Sequence, residues 1–291
     1  MISVRPQLLL SLAITVVGGC APALHEPIPL SRDQSGTIAF SVKSGFSTVS
    51  LSGSLSFPPH GDGPFPTVII LPGCRGAGSS AWGWENELRW ANYAVFMVDS
   101  LSGRGFEEVC SSYRTLRSED RIVDAFGALA LVAIHPKVDR TRIVLFGISH
   151  GGGTTLQAAA AATVRSQAPP SARFRGFFAL YPRCADDNLP ESKLAAPLRI
   201  HTGELDDWTP AHECEVLAVS LRRSGNDAQM TVYPGAHHSF DSQDLPAILH
   251  VSGVQNFSSG QLRWGATVGY SPSATQSVRE NLLEQLRLLL D

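Results

Sequence analysis

Beyond its first twenty residues the chain has no apolar run near the roughly 20 residues that a membrane-spanning helix needs. Basic residues are not in excess: 23 Lys and Arg stand against 26 Asp and Glu. That balance leaves no basic patch and argues against a nucleic-acid partner. Cysteine is scarce, five residues with no C-x-x-C spacing among them, so a structural zinc site is not expected. No internal repeat occurs. What remains after these exclusions is an ordinary globular composition, long enough for one large α/β domain with a substantial core.

The N-terminus has a separate purpose. Arg5 precedes an apolar core, Leu8–Val17, too short for a permanent span and of the length of a secretory signal. Val17-Gly18-Gly19-Cys20 then resembles the lipobox of bacterial lipoproteins, in which the cysteine is acylated. The expected division is a signal over 1–19, a proline-rich polar tether over 20–35 and a single domain over 36–291. A lipid on Cys20 would be the sole membrane attachment, with the domain in the periplasm or at the cell surface. Export also bears on the other four cysteines. The chain order of the strands suggests disulfides Cys74–Cys110 and Cys184–Cys214, with other pairings or free thiols left open.

Along the domain, apolar strand-like runs alternate with helix-like segments. Thr37–Val42 and Val49–Phe57 read as an antiparallel edge pair. Thr67–Leu71, Val95–Val98, Ile143–Phe146, Phe177–Leu180, Leu198–Thr202 and Met230–Tyr233 read as strands, most of them buried. Trp82–Asn92, Ser118–Ile134 (capped by Ser118), Thr154–Val164, Ala211–Ser224 and Ser273–Leu290 read as helices. Such alternation predicts a mostly parallel sheet covered by helices on both faces. Gln243–Tyr270 lacks clear periodicity and is expected to cover the mouth of a site.

The chain is organised around Arg142–Gly153, RIVLFGISHGGG. A buried strand leads into Gly147-Ile148-Ser149-His150-Gly151, and a helix follows. Strand, G-x-S-x-G and helix place a serine on a strained turn at the carboxyl end of the sheet, above a helix N-terminus that favours negative charge. The pentapeptide is weak by itself; its partners strengthen it. After Leu198–Thr202 comes Gly203-Glu204-Leu205-Asp206-Asp207-Trp208, and after Met230–Tyr233 comes Pro234-Gly235-Ala236-His237-His238-Ser239-Phe240. Serine, acid and histidine thus follow one another at strand ends, where chemistry collects in such sheets. A serine hydroxyl needs a base to take its proton, and that base needs a carboxylate to fix its tautomer. Asp207 competes with Asp206, and His237 with His238. Spacing favours Asp206, because the next residue along an extended turn points away.

The set LPGCRG, DSLSGRG, GISHGG, GELDDWTP and YPGAHHSFD, running in order from about Ser54 to the last helix, resembles the dienelactone hydrolase family of α/β-hydrolases. The resemblance implies Asp206 as the acid and His238 as the base. It also implies the backbone N–H groups of Cys74 and His150 as oxyanion donors. The founding enzymes carry a cysteine nucleophile and are cytoplasmic, whereas position 149 is serine and the chain begins with a signal. It therefore implies hydrolysis of carboxylic esters, lactones included, more directly than the dienelactone reaction itself. Arg75 and Arg104 are candidates to meet a substrate carboxylate, with structural ion pairs as the alternative; Trp208 and Trp264 are candidates to line a pocket. Asp241 is read as solvating or capping. No cofactor or metal is expected. Two other classes stay open: a small-peptide or amide hydrolase of the same fold, and a non-catalytic binding module.

Overall fold

A computed structural model describes residues 30–185, 193–256, 258 and 261–290. The signal, Cys20 and the first part of the expected tether lie outside the described residues. Residues 30–35 do not stand free of the domain: Leu30 joins the core, and the Gln34 carbonyl bonds His135 Nε2 at 3.0 Å.

The chain then runs through β1 (Gly36–Ser44), β2 (Ser47–Ser56), β3 (Phe65–Leu71), α1 (Ser79–Trp90), β4 (Ala94–Asp99), α2 (Ile122–Val132) and β5 (Val138–Ile148). It continues through α3 (His150–Ala158), α4 (Ala161–Gln167), β6 (Phe174–Leu180), β7 (Leu198–Gly203), α5 (Ala211–Arg223) and β8 (Ala228–Tyr233). A hairpin, β9 (Leu249–Asn256) with β10 (Arg263–Val268), and α6 (Pro272–Leu290) complete it. One eight-stranded sheet has the order β1-β2-β4-β3-β5-β6-β7-β8; β1 and β2 are antiparallel and form one edge, and β4 onward are mutually parallel. The central strands are buried on both faces, as their unbroken apolar runs require. One core cluster joins α2, α3 and α5 to one face of the sheet, and a second packs α1 and α6 on the other. Among the described residues no helix is long and apolar enough to cross a membrane.

Three sequence expectations need correction. The helix read from Ser118 begins as a 3₁₀ turn, Glu119–Arg121, and Ser118 makes no side-chain cap. Its first turn instead presses inward and buries Arg121. The helix read over Thr154–Val164 is broken at Ala159–Ala160, because Ala159 O and Ala161 N bond to Ala195 N and Lys193 O instead of continuing the helix. Finally, Gln243–Tyr270 contains the β9–β10 hairpin. A third apolar cluster seats it: Val254 and Ala266 pack with Cys74, Val109 and Cys110, against Trp208. It does stand over the carboxyl end of the sheet, beside Ser149.

Candidate active site

Ser149 directly follows β5 at φ 52°, ψ −112°, a backbone state that costs a non-glycine residue free energy. The neighbouring glycines make the turn possible. A Cβ on Gly147 would lie 2.1 Å from Gly151 O, and one on Gly151 would lie 2.0 Å from Leu71 O. The turn is therefore so tight that only hydrogen fits at either place. Ser149 Oγ then faces the imidazole of His238, 2.9 Å from Nε2. His238 Nδ1 lies 2.8 Å from Asp206 Oδ2, which fixes the tautomer: Nδ1–H donates to the carboxylate and Nε2 is left to accept the serine proton.

Asp206 and His238 are 4% and 1% exposed, so this chain of bonds is nearly dry. The Asp206 carboxylate is held on all sides. Oδ1 accepts the N–H groups of Trp208 and Thr209 at 3.0 and 2.8 Å, and Oδ2 also accepts Thr209 Oγ1 at 2.9 Å. Asp207 points the other way. Its carboxylate accepts Thr267 N–H and Oγ1 at 2.7 and 2.8 Å and so ties β10 to the acid loop. His237 bonds the Leu205 carbonyl through Nδ1, away from the serine.

The turn after β3 carries Cys74 beside Ser149: a Cβ on Gly73 would touch Ser149 Cβ at 3.6 Å. His150 opens α3, so its N–H belongs to the first turn, which has no intrahelical acceptor. Cys74 is bridged to Cys110, and Cys184 to Cys214. Disulfides of this kind belong to an oxidising compartment.

Several side chains that sequence reading did not single out complete the surroundings. Arg121 is fully buried, and its Nη1 donates to Pro72 O and to His150 Nδ1, both at 2.9 Å. One guanidinium thus touches both the Cys74 turn and the residue after Ser149. Burial lowers the Arg121 pKa to about 10, although Asp124 opposes the shift. Burial, then the Arg121 charge, lowers His150 to about 3. Its Nε2–H donates to Leu116 O, consistent with a permanently neutral ring. Tyr181, directly after β6, packs its ring 4.5 Å from that of His238. Asp241 is a correction: it is buried and accepts Tyr181 OH, Ser80 Oγ and Trp84 Nε1 at 2.7, 2.5 and 2.7 Å. Burial, then Asp241, pushes the Tyr181 phenol well above its usual range. The position of Tyr181 at a strand end was the one available signal for it.

Of the candidate substrate contacts, Arg75 and Trp208 line the cavity at Ser149, and the Trp208 ring lies 4.8 Å from that of His238. Arg104 does not reach it. Both its terminal nitrogens bond the buried Asp124 carboxylate at 2.9 and 2.7 Å. Trp264 also stays away, 59% exposed on the hairpin. Among the described residues no group of three His, Cys, Asp or Glu is placed to hold a metal.

The sequence profile of the dienelactone hydrolase family matches residues 53–288. The chain belongs to that family. Solved structures agree in fold. A dienelactone hydrolase of Anabaena variabilis is 20% identical, with a TM-score of 0.58 over 89% of this chain and 100% of that one. A dienelactone hydrolase-like promiscuous phosphotriesterase from metagenomic libraries is 18% identical, with a TM-score of 0.62 over 88% and 98%. Dipeptidyl peptidase 4 of Porphyromonas gingivalis is 18% identical, with a TM-score of 0.59 over 88% of this chain and 36% of the longer one. No curated protein sequence matches significantly. As a dienelactone hydrolase family member the protein is a hydrolase with the α/β-hydrolase sheet.

Proposed function

We propose that this protein is a serine hydrolase that cleaves carboxylic esters through an acyl-enzyme. The supporting observation is the continuous chain from Ser149 Oγ through His238 to Asp206, at 2.9 and 2.8 Å, on a strained turn. In this reading His238 Nε2 takes the hydroxyl proton as Ser149 Oγ bonds the ester carbon. The carbonyl oxygen becomes an oxyanion, held by the N–H groups of Cys74 and His150 and by the start of α3. The imidazolium, stabilised by Asp206, gives its proton to the alkoxy oxygen, and the carbon–oxygen bond breaks to release alcohol. Water then repeats the steps: His238 takes a proton from it, the hydroxide attacks the acyl carbon, and Ser149 leaves with that proton. Asp206 stays ionised throughout and keeps Nδ1 protonated.

Thr209 acts through Asp206, and Arg75 and Trp208 contact the substrate. The chain is exported behind residues 1–19 and anchored by lipid on Cys20, with the tether ending where Leu30 enters the hydrolase domain; the two disulfides support the oxidising compartment that this implies. The protein should hydrolyse p-nitrophenyl acetate, and Ser149→Ala and His238→Ala should each lower kcat on the order of 10³–10⁶. Combining them should cost little more, because such groups act as a unit. Wild-type protein that cleaves aminoacyl amides but no ester would transfer the site to peptide hydrolysis.

A further inference from the structure

Two cavities meet at Ser149, and they differ in size and in which histidine they contain. The larger, about 230 Å³, holds His238 and is walled by Leu245, Leu249, Val251, Val254 and Val268 of the hairpin segment. The smaller, about 50 Å³, holds His150 and is lined by Tyr113, Val109 and Arg183. Ser149, Trp208 and the Cys74–Cys110 bridge border both. Tyr113 is fixed as a wall: its ring lies edge-on to His150 at 5.9 Å, Arg183 stacks over it at 5.3 Å, and its N–H donates to Gln255 Oε1.

The chemistry assigns the two spaces. A tetrahedral carbon on Ser149 Oγ carries the oxyanion, the alkoxy oxygen and the acyl chain. The alkoxy oxygen must come within hydrogen-bond reach of His238 Nε2 to receive its proton. The alcohol therefore extends into the cavity that contains His238, and the acyl chain takes the remaining direction, past His150. One water-sized group needs about 10–15 Å³ of cavity, so the small space takes about three to five heavy atoms and the large one about fifteen or more. We propose that the natural substrate class is esters of short acids, up to about four carbons, with bulky and largely apolar alcohols. This rests on the ester-hydrolase reading above and goes beyond it in naming the two halves of the substrate.

The test is kcat/KM for two ester series on the whole protein. Acetates of ethanol, butanol and 2-phenylethanol share primary alkoxide leaving groups, so binding rather than leaving ability separates them. Each methylene buried should help by about fourfold, and the 2-phenylethyl ester should exceed the ethyl ester by at least about tenfold. With 2-phenylethanol held constant, the octanoate should fall at least about tenfold below the butyrate. Tyr113→Ala should raise the octanoate-to-butyrate ratio, and Leu249→Trp should lower the 2-phenylethyl-to-ethyl ratio. Ratios within one variant do not depend on how much of it is folded. An octanoate hydrolysed as well as the butyrate, or an octanoate preference that Leu249→Trp abolishes, would overturn the assignment while leaving the hydrolase intact. A protein that turns over no ester and takes no fluorophosphonate would overturn the underlying reading as well.

Discussion

Replacing Cys74 and Cys110 together by alanine removes a bridge that spans 36 residues and that starts at the proposed oxyanion donor. The chain-entropy relation gives a loss of about 4 kcal/mol at 25 °C for a loop of this length. The second bridge, Cys184–Cys214, spans 30 residues and gives nearly the same value, about 3.6 kcal/mol. Stability alone would not distinguish them; turnover should. Cys74 borders Ser149, and Cys110 O accepts Gln255 N–H of the hairpin, so opening the first bridge frees the donor turn and the edge on which the hairpin rests. Full loss of an oxyanion donor costs on the order of 10²–10³ in kcat, so a loosened one should cost on the order of tenfold. Cys214 lies on α5, behind the acid loop, and opening its bridge should lower kcat much less. Guanidinium unfolding of the two double variants, with ester turnover at a temperature where each is folded, measures both quantities. A stability loss below about 1 kcal/mol for the first variant, or equal kcat losses for the two, would refute the reasoning.

Three further outcomes follow from the geometry. Asp206→Asn should lower kcat on the order of 10³–10⁴, whereas Asp207→Asn should stay within about tenfold while loosening β10; equal losses would move the acid to Asp207. Gly151→Ala places a Cβ 2.0 Å from Leu71 O and should cost about 3 kcal/mol or more, read as lost soluble yield or a lowered Tm; a normal Tm would contradict the described turn. His150 and His201, lowered by burial to about 3 and about 4, are neutral when folded but take up protons near pH 6.5 when unfolded. The unfolded state then binds more protons, so stability falls with acidity, by up to about 2.7 kcal/mol per pH unit for the pair between pH 6.5 and 4. A flat stability curve from pH 6.5 to 5 would contradict this.

The parallel strands and the loops that end them were legible because their signals are local: apolar runs closed by Gly, Pro or Asp fix where each strand stops. The relative placing of Ser149, Asp206 and His238 follows from three such strand ends. The β9–β10 hairpin was not legible. Its alternation is weak, Gly253 interrupts β9, and what holds it is contact with Cys110, Asp207 and Trp208 far back in the chain. Arg121 drew no notice and Asp241 read as solvating or capping because their partners, Pro72 and His150 for one and Ser80, Trp84 and Tyr181 for the other, lie tens of residues away. The break before α4 has no glycine or proline to announce it; the strand-like contacts of Lys193–Ala195 impose it.

The central claim is that Ser149 is a nucleophile activated by His238, and the most direct measurement is covalent. Incubation with a fluorophosphonate should add one adduct per chain, mapped by peptide mass spectrometry to the peptide containing Ser149, with loss of esterase activity in proportion. Ser149→Ala should take no label, and His238→Ala should label at least about 10³-fold more slowly. An adduct on another residue, or labelling of Ser149 at the same rate without His238, would contradict the account.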